Sequence, residues 1–495
     1  MPVLAGHFHD GHAHDGRVRH FPGAFPDGPR RGFRGGVHPP PRKELTALQP
    51  IEDVPPPAVV VLPLWQHVGA PAFAVVQAGD AVLVGQRVGE ARGEMSAHVH
   101  ASVSGRVQAV EMRPHPTGRN VEAVVIASDG RDALHPDVRP RWPGEGGGDG
   151  GGGGGSEGGG GDGGGDLRGL LRRIVREAGI VGMGGAAFPT AKKLDVPPGA
   201  RLDTYILNGC ECEPYLTADQ RLMVEAPGQV VFGLAALMAA VGVQRGYIAV
   251  ESDKPDAVGA LERAAAEVPG VQVVVVPAAY PQGSEKHLIR AVLGREIPRG
   301  SLPYDVGALV SNVATAAAVA QAVRFGLPLV ERVVTVAGRV KSPKNLRARI
   351  GTPLSDLIAA CGGFAGTPRM VVAGGPMMGV AQGSLDAPLT KALSGVVVLD
   401  AEDVGRLAAG GPSPCVRCGR CLEACPMGLL PLYLSAYGER GMSGEAAALG
   451  AADCIECGSC AYVCPSRRPL VHGIRLAKAD IAASKGAASK GGEGK

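Results

Sequence analysis

Eight of the eleven cysteines in this 495-residue chain fall between positions 415 and 464. They form one pattern written twice: Cys415-x2-Cys418-x2-Cys421-x3-Cys425-Pro426 and Cys454-x2-Cys457-x2-Cys460-x3-Cys464-Pro465. Three thiolates at x2 spacing grip one face of a cubane because a short loop wraps it. The fourth, just before a proline, opens a helix that points away and reaches the neighbouring cluster. The spacing predicts two [4Fe–4S] clusters, one on Cys415, Cys418, Cys421 and Cys464, the other on Cys454, Cys457, Cys460 and Cys425. Zinc is the competing reading, but two zinc sites rarely repeat this rhythm. Such crowding of thiols favours metal over disulfides in a reducing compartment. The module implied carries single electrons, so another part of the chain has to supply or accept them.

The rest of the chain is long enough for three or four domains. It is 45% hydrophobic but only 4% aromatic, and 76 glycines with 41 prolines point to many turns and several small folds. A net charge of +3, from 50 basic and 47 acidic residues, gives no argument for nucleic acid. No run reaches the roughly 18 uncharged apolar residues of a membrane span. The longest, Val230–Val243, is the length of a core helix. With no apolar signal core at the N-terminus, the expectation is a cytoplasmic chain whose membrane role comes through partners.

Residues 1–50 are rich in His, Gly, Pro and Arg and read as a solvated, disordered arm in preference to a metal-binding tract, because no apolar periodicity accompanies the histidines. Residues 51–145 alternate short apolar runs with turns, as in a small β-domain of barrel-sandwich type. Their Gly79-Asp80, Gly85-Gln86 and Ser104-Gly105 turns look like those of biotinyl and lipoyl carriers, yet no lysine lies between Asp80 and Gly105 to carry the prosthetic group. Residues 146–165 form a glycine linker. From 166 to 330 helical and strand patterns alternate, which implies an α/β layer on a largely parallel sheet. LRGLLRRIVREAG reads as an amphipathic helix, and TYILNG, GYIAVES and VQVVVVP as strands. Residues 331–400 read as a compact β-rich unit, 401–475 as the cysteine domain and 476–495 as a disordered tail.

At the start of the α/β region stands Gly179-Ile-Val-Gly182-Met-Gly184-Gly185-Ala-Ala-Phe188-Pro189-Thr190. Glycines let backbone N–H groups approach a phosphate. By itself this is weak, and it is not the GxGxxG that follows a strand in a Rossmann unit. Gly182–Lys193, Asn208-Gly-Cys-Glu-Cys-Glu-Pro214, Tyr280–Arg299 and Ser311-Asn312-Val-Ala-Thr315 resemble, in the same order, the flavin- and NADH-binding segments of the complex I flavoprotein subunit. From Phe33 onward the chain is closer still to the C subunit of the Rnf (Rsx) ion-translocating electron transport complex. That resemblance is carried by Phe33-Arg-Gly-Gly-Val-His-Pro-Pro40, Gln66-His-Val-Gly-Ala-Pro71, Ser102-Val-Ser-Gly105, Glu211-Cys-Glu-Pro-Tyr-Leu-Thr217, Tyr280-Pro-Gln-Gly283 and Gly374-Gly-Pro-Met377.

The resemblance implies a multidomain fold: a barrel-sandwich-like β-domain, a complex I flavoprotein-like α/β domain, a soluble-ligand-binding β-grasp (SLBB-like) domain acting as spacer, and a two-[4Fe–4S] ferredoxin-like domain. It implies a noncovalent FMN in the α/β domain and NAD(H) as substrate. Gly182, Gly184, Gly185 and Lys193 would border the flavin phosphate and ring, with Asn312 at the phosphate. Asn208, Glu211 and Glu213 would line the isoalloxazine edge and nicotinamide pocket, and Tyr280 and Glu285 would face the nicotinamide nucleotide. Since a nicotinamide exchanges a hydride and a cluster one electron, a flavin has to sit between them. The function implied is that of an oxidoreductase subunit, peripheral on the cytoplasmic side of the inner membrane. It would pass electrons between NAD(H) and ferredoxin, with partner membrane subunits moving Na+ or H+. Two alternatives stand beside it: a soluble flavin and iron–sulfur reductase such as a cobalamin reductase, and a flavin-free adaptor. The family commonly has His where Ala191 stands and often Gly where Ser284 stands. Cys210 and Cys212 read as inert small residues, and Cys361 as core.

Overall fold

A computed structural model describes residues 32–140, 163–408 and 411–490. The histidines before residue 31 and the glycine linker up to residue 162 lie outside the described residues.

The α/β region is built on four parallel strands in the order Val271–Val276, Arg245–Glu251, Thr204–Gly209, Ala308–Asn312. Their side chains alternate as strand geometry demands. Tyr205, Leu207, Ile248 and Val250 face one side, against the helices Gly163–Glu177, Pro227–Val241 and Val313–Phe325. Ile206, Ala249, Val274 and Val310 face the other, against the helix Glu285–Leu293. The apolar run at 230–243 is thus a core helix. A Cβ at Gly233 would lie 1.9 Å from the Ala316 carbonyl, so this glycine allows two helix backbones to touch. Among the described residues no single helix is long and apolar enough to cross a membrane.

N-terminal to this region, seven short strands between Val59 and Ser128 form two antiparallel sheets. The glycine of the Ser104-Gly105 turn is obligatory, because a Cβ there would lie 1.9 Å from the Ala127 carbonyl. The β-grasp unit is a six-stranded mixed sheet carrying the helix Leu354–Ala360, with Cys361 in its core. The cysteine region is helical. Its two four-residue helices, Arg420–Glu423 and Ser459–Tyr462, are followed or flanked by Pro431–Glu439 and Leu470–Lys490.

Three expectations are corrected. Residues 32–50 are not a solvated arm: Val37 bridges Tyr280 through backbone hydrogen bonds, and the Lys43 ammonium donates to the Glu211 and Leu216 carbonyls. The strand Ile51–Asp53 belongs to the β-grasp sheet, pairing with Asn345–Arg347. The end of the chain is helical to Lys490, because Ile474 and Ala477 are buried against the helix Pro431–Glu439, where Gly438 and Gly473 meet backbone to backbone.

Candidate functional site

Two neighbouring cavities and two sets of thiols make up the site. The first cavity, about 620 Å³, is walled by the glycine loop Gly182–Phe188 and by residues at the carboxyl ends of two parallel strands, Asn208 and Asn312. This is where an open α/β sheet binds ligands. The loop is held in a tight curl by Gly182 N–H donating to the Phe188 carbonyl (2.8 Å) and Met183 N–H to the Thr315 hydroxyl (2.9 Å). Gly184 lies against Asn312 so closely that a Cβ would meet its side chain at 2.7 Å, whereas a Cβ at Gly185 would meet nothing within 4 Å. Asn312 caps the helix Val313–Phe325 by accepting from Ala314 N–H, and its amide donates to Asp219 (2.6 Å). A helix start of this kind is an anion-binding end. Lys193 adds a cation: its ammonium donates to the Val310 carbonyl (2.7 Å) and pairs with Glu285 (3.1 Å). Glycine backbone, lysine and helix start together fit a phosphate, and the cavity volume admits a flavin mononucleotide.

Of the expected residues, Gly182, Gly184, Gly185, Lys193, Asn208, Glu285 and Asn312 line this first cavity. Glu213 lines the second, of about 640 Å³, which shares Gly184–Ala187 with the first and extends to Cys454–Glu456. The Glu213 carboxylate accepts from the Met377 and Met378 N–H groups (3.0 and 2.8 Å), and a side chain at Gly375 would collide with it. Burial pushes its carboxyl up to about 7. Glu211 and Tyr280 line neither cavity. Glu211 is buried with its carboxylate on the Asp219 and Gln220 N–H groups, where it caps the helix Ala218–Glu225. Tyr280 is 2% exposed, and its hydroxyl donates to the Cys457 carbonyl at 2.7 Å.

Sequence reasoning missed Asp219 and His287. Burial, reinforced by the neighbouring Glu211 carboxylate, pushes the Asp219 carboxyl up. His287 sits in the first turn of the helix that Glu285 opens and meets the Pro426 carbonyl at 3.2 Å. A lone acid or histidine inside a helix carries no motif. Cys210 and Cys212 have their thiols pushed up by burial, Cys212 to about 12, which disfavours the reactive thiolate.

The two cysteine loops have one shape. Arg417 and Glu456 both take φ = 56°, and Gly419 and Gly458 follow at 78° and 82°. Backbone N–H groups of Arg417, Leu429 and Glu456 donate to the sulfurs of Cys415, Cys425 and Cys454. Cys425 lines a small apolar cavity with Cys454, Cys457 and Cys460. Cys421 has Cys464 and Cys415 as its thiol neighbours, and Ser413 and Ser466 tie the start of the first motif to the end of the second. Cys425 thus stands with the three cysteines of the second motif, and Cys464 stands beside Cys421 of the first. Thiols around one compact cavity, with N–H donors on the sulfurs and an apolar lining, fit [4Fe–4S] clusters.

A cavity fit for a nucleotide beside two matching cysteine loops defines a flavin- and iron–sulfur-dependent electron carrier, and comparison with known proteins agrees. Residues 175–321 match the Nuo51 FMN-binding domain, 31–131 the RnfC barrel sandwich hybrid domain, 333–381 the SLBB domain and 414–467 the 4Fe-4S dicluster domain. Over 454 residues the chain is 45% identical to the C subunit of the Na(+)-translocating ferredoxin:NAD(+) oxidoreductase complex of Acetobacterium woodii, covering 92% of this chain and 98% of that one. It is 44% identical to the proton-translocating counterpart of Clostridium ljungdahlii (84% and 86% covered) and 42% identical to the C subunit of the ion-translocating oxidoreductase complex of Rhodobacter capsulatus (91% and 83%). The chain belongs to the RnfC family, and it carries an FMN-binding domain, an SLBB domain and a two-[4Fe–4S] domain.

Proposed function

We propose that this chain is the C subunit of a membrane-bound complex that couples electron transfer between NAD(H) and ferredoxin to Na+ or H+ translocation. It would lie peripherally on the cytoplasmic face, held by partner subunits. Relatives named for such complexes across nearly the whole chain support this, and the match at 31–131 to the RnfC barrel sandwich favours it over a soluble reductase. One observation carries the internal wiring. The helix Glu285–Leu293 starts at the wall of the nucleotide cavity and rests through His287 on the Cys425-Pro426 turn, while Tyr280 reaches Cys457.

Bound in the first cavity, FMN supplies the conversion between a hydride and single electrons. Gly182, Gly184, Gly185, Lys193 and Asn312 hold its phosphate and ring, and Asn208 and Glu285 orient the nicotinamide nucleotide. Glu213 fastens the Gly374–Met378 turn, and Tyr280 fastens the second cysteine loop, so both position the cluster assigned to Cys454, Cys457 and Cys460. Glu211 acts at one remove, by capping the helix that presents Asp219 to Asn312.

Anaerobically purified protein should release about one FMN per chain on denaturation and lose flavin absorbance when NADH is added. Glu285→Gln keeps the shape but removes the charge. Its KM for NADH should rise about tenfold with FMN and iron unchanged, since a hydrogen bond to a charged group is worth about 1.5–3 kcal/mol. A cluster-loaded protein that neither contains nor takes up FMN would sink the reading, and unchanged NADH kinetics in Glu285→Gln would remove Glu285 from it.

A further inference from the structure

The two cysteine loops match position by position, but their surroundings do not. Around the second loop the positions are covered. Ile455 packs against the buried cluster of Val37, Tyr280, Ala424 and Cys457. The Glu456 carboxylate is bound by Arg475 (2.8 Å) and Lys478, both on the helix Leu470–Lys490. Around the first loop the equivalent positions are bare. Val416, the counterpart of Ile455, is 67% exposed. Arg417, the counterpart of Glu456, is exposed, as is Arg420, and neither makes an ion pair among the described residues. Cys415 and Cys418 themselves are exposed.

We propose that the loop Cys415–Cys421 docks a second redox protein whose contact face is an apolar centre rimmed with carboxylates. The inference deepens the proposed function and rests on its assignment of a cluster to the first cysteine set, but not on the flavin. Val416 provides the apolar centre, and Arg417 and Arg420 the cationic rim, which is the layout of a transient protein interface. The symmetry of the loops supplies the sign. On the inner side an acid at this position is covered by a cationic helix, so an arginine at the same position calls for an acidic cover. An anionic membrane would also attract the arginines, but it would press a redox centre against an insulator, whereas a protein brings an electron acceptor or donor to it.

The test uses the full-length, cluster-loaded chain and an acidic two-[4Fe–4S] ferredoxin as the probe. Binding of the oxidised probe should weaken steeply as salt is raised. In Arg417→Glu/Arg420→Glu it should weaken about tenfold or more at low salt and lose that salt dependence, because rim charges act through long-range attraction. Val416→Ser should weaken binding while leaving the salt dependence intact. Arg119→Glu/Arg263→Glu changes two other exposed arginines by the same charge and should bind like the parent. In stopped flow, each reduced probe molecule that docks gives up one electron, the protein's cluster gains it, and no proton moves; this rate should fall in parallel with binding. EPR of each variant confirms that both clusters are loaded, and the experiment is repeated on flavin-stripped protein, so failure of the flavin reading leaves this result standing. Equal binding by parent and Arg417→Glu/Arg420→Glu would overturn the proposal. So would equal loss in the control pair, or loss of binding only to phosphatidylglycerol vesicles.

Discussion

Three histidines of the N-terminal β-unit are built to stay neutral. His67 Nε2 accepts from Ala97 N–H, His98 Nδ1 from Ala91 N–H, and His115 Nδ1 from Thr117 N–H. All three rings are at least nine-tenths buried, and burial pushes each down to about 4. Lys391 adds to the shift at His67, and Arg87 at His98. The sign follows. Histidines in the unfolded chain take up protons near pH 6.5, the folded ones only near 4, so the unfolded state binds more protons throughout that window. Their contribution to stability is complete above about pH 6.5 and is lost as pH falls towards 4. Each can add a slope of up to about 1.4 kcal/mol per pH unit. His98→Gln replaces the titrating acceptor with an amide oxygen that cannot be protonated. Hydrogen exchange across residues 58–128 should show acid loosening between about pH 6.5 and 4 in the parent. His100 beside them is also buried and pushed down, so in the variant the pH slope should be about a quarter shallower, that is, one histidine's share of four. An identical acid profile in the two proteins would mean that His98 does not bear this load.

At the scale of elements, legibility divided according to how local the determining interaction is. The cysteine motifs could be read because three ligands of one cluster lie on a single loop. The strands Thr204–Gly209, Arg245–Glu251 and Val271–Val276 could be read because buried parallel strands are continuous apolar runs. The strand Ile51–Asp53 could not, because what fixes it is a partner nearly three hundred positions away, and its three residues carry no pattern of their own. Residues 32–50 were misread for a related reason: they are held by backbone hydrogen bonds and by Lys43, not by an apolar stripe. The resemblance names seven residues that the structure gathers around one cavity, but it also names Glu211, and a line of sequence does not say that this carboxylate turns back onto a helix start. The crossed grouping of thiols is the element-level claim most open to test. Cys425→Ser should damage the EPR signal of the cluster on Cys454, Cys457 and Cys460, and Cys464→Ser that on Cys415, Cys418 and Cys421. Serine can ligate iron weakly, so a labile or three-iron cluster is the expected form of the damage. If Cys425→Ser matched Cys418→Ser in signature and differed from Cys457→Ser, each motif would hold its own cluster.

Across the whole molecule the two cysteine sets occupy opposite situations, and the rest of the chain is arranged to make them so. Val37 from the N-terminal segment, Tyr280 from the α/β unit and Met377 from the β-grasp unit converge on Cys457, and Cys457 and Cys460 are each only 7% exposed. The long C-terminal helix closes over Cys454 through Lys478, which donates to its carbonyl at 2.9 Å. No comparable cover reaches Cys415 or Cys418 among the described residues. Chemical attack on a cluster requires access to it, so the two should differ in lability although their ligand loops are alike. Treatment of the loaded protein with a mild oxidant and a chelator should release iron in two phases of about equal size, since two [4Fe–4S] clusters hold equal iron. The fast phase belongs to the outer set and the slow phase to the inner one. Cys418→Ser should shrink or speed only the fast phase, and Cys457→Ser should shrink or speed only the slow one. Tyr280→Phe removes the hydroxyl that donates to the Cys457 carbonyl and should speed only the slow phase. Release in a single phase, or a Tyr280→Phe effect on the fast phase, would mean that the burial of Cys457 and Cys460 does not protect their cluster.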